Sequence, residues 1–150
     1  MKKILIIIAI AVISITSIIF AKYSAYLKEK NNINKLNKEF LAYENSTIQI
    51  NTIVTLMNKA ILLNKENNIK QNDNTIFEEN DTNSIKIYIE TESSKDREKV
   101  QVPMEELMLN EKAGPEKVIY AFSDVQFQIK EKEYHAKTGQ IKKIVFSAKN

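Results

Sequence analysis

The chain opens with an uninterrupted apolar run from Ile4 to Ala21, introduced by Lys2 and Lys3 and closed by Lys22. No charged side chain occurs in these eighteen residues. As an α-helix they would extend over about 27 Å, close to the hydrocarbon thickness of about 30 Å in a bilayer. The run therefore predicts a transmembrane helix, with the lipid bilayer as the partner of Ile4 to Ala21.

A cleaved secretory signal peptide is the alternative for residues 1–21, because it also begins with lysines and an apolar core. The run is longer than a usual signal core, and Ile19 with Ala21 makes a poor cleavage pattern. We expect a retained anchor in the cell membrane and keep secretion after cleavage near Ala21 as the alternative. More lysines follow the run than precede it, against the positive-inside rule, but the three-residue head favours an extracytoplasmic carboxyl-terminal domain.

Residues 22–68 have apolar positions spaced three and four apart, which predicts a helical stalk and a second amphipathic helix. The stripe consists of Tyr26, Ile33, Leu36, Phe40, Tyr43, Ile50, Val54, Met57 and Ile61. The stretch Glu44-Asn45-Ser46-Thr47 favours helix caps, so the first helix should end there and the second should start near Thr47. The second helix should run to about Asn64, and its broad apolar face predicts burial against a sheet.

Residues 69–150 are predicted to form a small domain that packs on the second helix. Lys65 to Ser84 is polar and indicates a loop. Ile85, Ile87 and Ile89 alternate with polar residues, which indicates a strand with one buried face. Val100 and Val102 predict a short return strand, and two short helices should follow, one over Met104 to Leu109 and one from Pro115 to near Ser123.

A β-hairpin is predicted at the end of this domain. Val125, Phe127 and Ile129 alternate with polar residues, and Ile141 to Phe146 is the next apolar run. Between them Lys137-Thr138-Gly139-Gln140 has turn composition, with Gly139 suited to a positive backbone φ. The predicted fold class is α+β: an N-terminal transmembrane helix, an amphipathic stalk, then a small antiparallel sheet with short helices.

The formal net charge is +3, and it falls to +1 once Lys2 and Lys3 are set aside. A net charge this small is not typical of nucleic-acid-binding proteins, so we expect no nucleic acid as a partner. The chain has no cysteine, so its domain must be held by burial rather than by disulfides, and no lipid can be attached through a thiol. The basic stalk is expected to carry ordinary solvated lysines rather than a specific lipid site.

Side chains able to carry chemistry are few. Glu78, Glu79 and Asp81 lack the alternating spacing and the glycine of a cation-binding loop. His135, the only histidine, is expected to have a structural hydrogen-bonding role. Ser123 and Ser147 have no nucleophile-elbow glycines. We therefore predict no catalytic, cofactor-binding or metal-binding residues, no cofactor, and a protein that is not an enzyme.

Two segments resemble a family of uncharacterised small single-pass membrane-anchored proteins of low-GC Gram-positive bacteria. The first is Tyr43-Glu44 followed by Ile53-Val54-Thr55-Leu56-Met57-Asn58-Lys59-Ala60-Ile61. The second is Glu133-Tyr134-His135-Ala136-Lys137-Thr138-Gly139-Gln140-Ile141. The resemblance covers most of the chain and implies no known activity. Where the family often has a glycine after the Tyr-Glu pair, this chain has Asn45-Ser46.

The order of elements is also similar to the architecture of type IV pilins and pseudopilins. Their glycine before the processing site and their glutamate early in the apolar helix are missing between Met1 and Ala21. We expect an extracytoplasmic, non-catalytic interaction domain that binds an unknown envelope protein or its own copies. A pilin-like structural or assembly subunit and an anchored sensory or regulatory module are the alternatives.

Overall fold

The computed structural model describes residues 2–72, 75–92, 98–110 and 115–149, and it leaves the side chains of residues 2–12, 110 and 115 undescribed. The fold is α+β, as predicted. In chain order the described elements are α1 (Lys2–Phe40), β1 (Ile48–Gln49), α2 (Ile50–Glu66), β2 (Lys86–Glu92), β3 (Lys99–Pro103), α3 (Met104–Asn110), α4 (Pro115–Ala121), β4 (Gln126–Tyr134) and β5 (Ile141–Ala148).

The chain divides into two compact units, Met1–Lys35 and Leu36–Asn150. The first unit is most of helix α1. Within it the side chains of Ile13 and Phe20 are 64% and 74% exposed, respectively. The hydroxyls of Thr16 and Ser17 both donate to the carbonyl oxygen of Ile13, at 2.9 and 2.7 Å. Among the residues that the structure describes, no helix has both the length and the apolar character needed to cross a membrane.

The second unit begins with the last turn of α1, where Phe40 is fully buried. Residues 41–46 form turns, which confirms a break between two helices. Helix α2 starts slightly later than predicted, because Ile48 and Gln49 first pair with β4 as the short strand β1. The predicted length of α2 is correct to within two residues.

The five strands form one sheet in the order β1-β4-β5-β2-β3. The prediction of an antiparallel sheet is wrong at one place, since β2 and β5 pair in parallel, with Ile87 opposite Ile144 and Ile89 opposite Phe146. The other pairs are antiparallel. Alternation along a strand indicates which side chains face the core but carries no information on the direction of the neighbouring strand.

The predicted hairpin is confirmed. Strands β4 and β5 pair antiparallel, with Phe127 opposite Ala148 and Tyr134 opposite Ile141. Gly139 lies in the connecting turn with φ +72°. Its left-handed backbone explains why a glycine occupies this position. The register shifts between Ile129 and Glu131, where the ladder bulges.

One hydrophobic core lies between α2 and a face of the sheet, as predicted for the second helix. Its fully buried large side chains come from α1, α2 and the sheet strands, and include Phe40, Ile50, Ile53, Ile89, Phe127, Ile144 and Phe146. The expectation that β2 has only one buried face is wrong. Lys86 and Glu90 on its other side are also buried, because β2 is an interior strand and long charged side chains cover that face.

Candidate interaction site

A groove with an apolar lining lies between α2 and α3. We name it the α2–α3 groove. It has a volume of about 360 Å³. Its apolar lining consists of Met57, Ile61, Phe77, Met108 and Leu109. Met57 and Ile61 are four residues apart and so share one face of α2. Methionine side chains adapt to varied partners, which suits such a groove to apolar side chains of another molecule.

The wall of this groove is fixed by a buried ion pair. Lys86 Nζ lies 3.0 Å from Glu105 Oε2, and both side chains are nearly inaccessible to solvent. The same carboxylate oxygen accepts a hydrogen bond from Phe77 N at 3.2 Å. Glu105 therefore joins α3 to β2 and to the loop that carries Phe77. The rim is more open, since Leu109 is 54% exposed.

A second concavity of about 450 Å³ lies at one end of the sheet. Phe122, Val125 and Phe127 form its apolar wall, and Glu90, Glu92 and Lys99 are among its polar residues. The rings of Phe122 and Phe127 meet edge to face, with centroids 5.8 Å apart. Because the cavity borders the connection between β2 and β3, of which residues 93–97 are outside the described part, we assign it no role.

The sheet face opposite the core carries paired charges, which we call the polar face. It includes Tyr88, Glu90, Gln101, Glu131 and Lys143, all on strands β2 to β5. Lys143 Nζ lies 3.2 Å from a Glu133 oxygen and 5.2 Å from the centre of the Tyr88 ring. Gln101 donates to Glu131 at 2.9 Å. These contacts cover Val145, which is fully buried on the same face.

Two carboxyl groups of the polar face, those of Glu90 and Glu131, have lowered pKa values. The Lys130 ammonium donates to Glu90 and lowers the pKa of that carboxyl, with Lys99 adding to the effect. The hydrogen bond from Gln101, assisted by Lys143, lowers the pKa of Glu131. The charges and hydrogen-bonding groups of these side chains are thus paired with one another, which indicates a stabilising role rather than proton transfer.

A neighbouring group links this face to the loop before β2. The Tyr88 hydroxyl donates to Glu79 at 3.1 Å, and Lys142 Nζ lies 3.0 Å from the same carboxylate. Burial, reinforced by the Glu79 charge, raises the pKa of Tyr88 to about 12. Burial alone would raise the pKa of Glu79, but Lys142 and Tyr88 lower it. Glu79 is therefore an ion-pair partner in this structure.

The predicted hydrogen-bonding role of His135 is confirmed. The ring is buried, and Nε2 donates to the Ser84 carbonyl oxygen at 2.7 Å. Nearby, Thr138 donates to Thr82 O at 2.7 Å. The Gln140 amide donates to Asn83 O at 3.0 Å. These contacts hold the β4–β5 turn against the loop before β2.

The other residues considered from the sequence lie apart from one another. Ser147 pairs with Glu90 and Gln128 in the sheet ladders. Asp81 Oδ2 lies 3.8 Å from Lys137 Nζ on the surface. Within the described ranges no group of three or more His, Asp or Glu side chains is placed to hold a metal ion. The α2–α3 groove was missed, because Phe77, Met108 and Leu109 are distant in sequence from α2.

Comparison of the chain with protein-family models, with curated proteins and with solved structures found no match. The resemblance to small single-pass proteins of Gram-positive bacteria therefore remains a prediction.

Proposed function

We propose that this chain is a single-pass membrane protein, anchored through Ile4 to Ala21. In this proposal residues 36–150 form an extracytoplasmic, non-catalytic domain. The α2–α3 groove of that domain binds apolar side chains of another envelope protein or of a second copy. The apolar run of the sequence supports the anchor, and the apolar lining and exposed rim of the α2–α3 groove support the binding role.

The observation that supports the anchor best is the exposure of apolar side chains around most of the circumference of α1. Ile13, Ile15, Ile18, Ile19 and Phe20 are all more than half exposed. Successive residues of a helix are rotated by about 100°, so these five positions cover most directions around the axis, and Ser14 and Ser17 lie in the remaining sector. A helix with so broad an exposed apolar surface is stabilised by an apolar environment, which the acyl chains of lipids supply.

The partner-binding part of the proposal rests on the groove and its rim. Leu109 exposes more than half of its surface beside half-buried Ile61 and Met108. Apolar anchors that fill pockets contribute most of the affinity of protein interfaces. An incoming apolar side chain would bury this surface without breaking the Lys86–Glu105 ion pair beneath it.

Alkaline extraction of membranes tests the anchor, combined with mass spectrometry of the amino terminus. We expect the intact chain to stay in the membrane pellet. The Ile13→Lys/Ile15→Lys variant should be released, because each central lysine costs about 3 kcal/mol of insertion free energy. The Leu62→Lys/Leu109→Lys variant is the matched control and should remain in the pellet. Release of the unmodified chain, or cleavage after Ala21, would refute the anchor.

Site-specific photocrosslinking in membranes tests the binding surface. A photoreactive residue at Leu109 should give a discrete crosslinked product, whereas one at the exposed Lys137 should not. A product of twice the 17.3 kDa mass would identify a second copy as the occupant, and any other mass would identify another protein. Equal labelling from both positions, or none from Leu109, would refute the assignment of the groove.

A further inference from the structure

Lysines of the chain differ in their surroundings. Eight lysines of the second unit lie within 4.0 Å of a carboxylate: Lys59, Lys86, Lys99, Lys130, Lys132, Lys137, Lys142 and Lys143. Lys22, Lys28 and Lys30 of α1 have no such contact with any carboxylate that the structure describes, and the same holds in the second unit for Lys38, Lys65, Lys70, Lys117 and Lys149. Lys22, Lys28 and Lys30 are distinguished by their position directly after the apolar run, where they present uncompensated positive charge.

Helix geometry explains why these three lysines find no carboxylate. Glu29 is the only acidic residue between Lys22 and Lys30. Ion pairs along a helix form at separations of three or four residues, and Glu29 is one residue from Lys28 and Lys30 and seven from Lys22. Its carboxylate is therefore not at a pairing distance from any of the three ammonium groups.

These lysines begin where the apolar run ends. Lys22 to Lys30 extend over about 12 Å of helix, and the headgroup region on one side of a bilayer is about 5 to 8 Å thick. Tyr23 and Tyr26, between the lysines, are both more than half exposed. Aromatic rings with a polar end favour the headgroup layer. At physiological ionic strength charges act over about 8 Å, so all three lysines lie within reach of headgroup phosphates.

We propose that Lys22, Lys28 and Lys30, together with Tyr23 and Tyr26, form a docking surface for the headgroups of anionic phospholipids. This inference rests on the proposed membrane anchor and adds the class of lipid that the anchor selects. Charge complementarity supports it, since Lys22 begins at headgroup depth and Lys28 and Lys30 lie within screening distance of the headgroup phosphates. It competes with the expectation from the sequence, which is ordinary solvated lysines.

Competitive reconstitution tests the proposal. The detergent-solubilised full chain is offered equal amounts of neutral phosphatidylcholine vesicles and of vesicles containing phosphatidylglycerol, which are then separated by a density label. We expect at least a fivefold preference for the anionic vesicles at 0.1 M salt and almost none at 1 M salt. Equal partition at low salt would refute the selectivity while leaving the anchor intact.

Two triple variants with the same change in charge locate the effect. Lys22→Gln/Lys28→Gln/Lys30→Gln should abolish the preference. Lys70→Gln/Lys117→Gln/Lys149→Gln, which changes three exposed lysines of the second unit, should preserve it. An equal loss in both variants would refute a local docking surface. Recovery of the unmodified chain in neither class of vesicle would refute the anchor, and this inference with it.

Discussion

The side chain of Asn64 binds both backbone polar groups of Ile85. Asn64 Nδ2 donates to Ile85 O at 2.9 Å, and Ile85 N donates to Asn64 Oδ1 at 2.8 Å. Asn64 is fully buried, although it interrupts the apolar stripe of α2 in the sequence. Its amide reproduces the hydrogen bonds that a neighbouring strand would make. The residue that joins the end of α2 to the start of β2 is therefore polar.

Replacement of Asn64 by alanine should lower the free energy of unfolding by about 3 kcal/mol, because two buried backbone groups lose their partners. Urea-induced unfolding of the full chain in detergent, followed by circular dichroism, measures the change. The control is Asn58→Ala, an exposed position on the same helix, which should change stability by less than about 0.5 kcal/mol. Similar losses in both variants would contradict the assigned role.

Removing only one partner of the Lys86–Glu105 ion pair should destabilise the fold. We expect Glu105→Ala to lower the free energy of unfolding by about 3 to 5 kcal/mol, because it leaves the buried Lys86 ammonium without a partner. The double variant Lys86→Met/Glu105→Gln should recover most of this loss, since it removes the charge and keeps an oxygen for Phe77 N. A double-mutant cycle of Lys86→Met, Glu105→Gln and the double variant measures the coupling, and additive losses would contradict it.

Tyr88 should ionise above the ordinary pKa of a tyrosine, which is 10.0. Burial and the Glu79 carboxylate raise its pKa to about 12, so its phenolate should appear as a late phase of an absorbance titration at alkaline pH. The folded-state pKa is raised, so this stabilisation is complete below pH 10 and is lost as the pH rises through about 12. Tyr88→Phe should remove the late phase, whereas Tyr120→Phe, an exposed position, should not.

Acidification should reduce the contribution of the polar face to the stability of the fold. The pKa of Glu90 is lowered by Lys130, so its stabilising contribution is present above the ordinary value of 4.5 and is lost as the pH falls below it. Glu90→Gln should therefore reduce the difference in midpoint urea concentration between pH 7 and pH 3. Glu116→Gln, an exposed change on α4, is the control and should leave that difference unchanged. Identical pH profiles for Glu90→Gln and the unmodified chain would contradict the prediction.

The effect of replacing Gly139 should depend on how easily the new residue adopts a left-handed backbone conformation. A Cβ at this position would have no atom within 4 Å, so only the φ of +72° opposes substitution. Gly139→Ala should cost about 1 kcal/mol of unfolding free energy, and Gly139→Asn should cost less, because asparagine adopts this conformation more readily. Lys137→Ala in the same turn is the control. Equal effects of Ala and Asn would indicate another cause.

The sequence predicted the elements better than their arrangement. Local periodicity and turn residues were sufficient for α2, β2 and the β4–β5 hairpin. The parallel pairing of β2 with β5 was missed, because it depends on contacts between residues more than fifty positions apart. The burial of Asn64, Lys86 and Glu90 was missed for a related reason. A polar side chain is buried when a distant partner satisfies it, and the partner is not recognisable from the pattern alone.

The candidate site also combines local features, which the sequence predicts, with an arrangement that it does not predict. The apolar run of α1 and the lysines after it are local features, and the sequence alone brings them together. The α2–α3 groove combines the α2 residue Met57 with Phe77 in a loop and Leu109 at the end of α3. None of these segments has an apolar surface large enough to indicate a binding site by itself. The groove exists only because α3 packs beside α2.

The position of β5 in the sheet affects when the domain can fold during biosynthesis. Strand β5 is the last strand of the chain, yet it lies in the middle of the sheet between β4 and β2. Until Ile141 to Ala148 have been synthesised, β2 and β4 have no strand between them, and Ile144 and Phe146 are missing from the core. The sheet can therefore close, and its core can form, only after the last described strand has been synthesised.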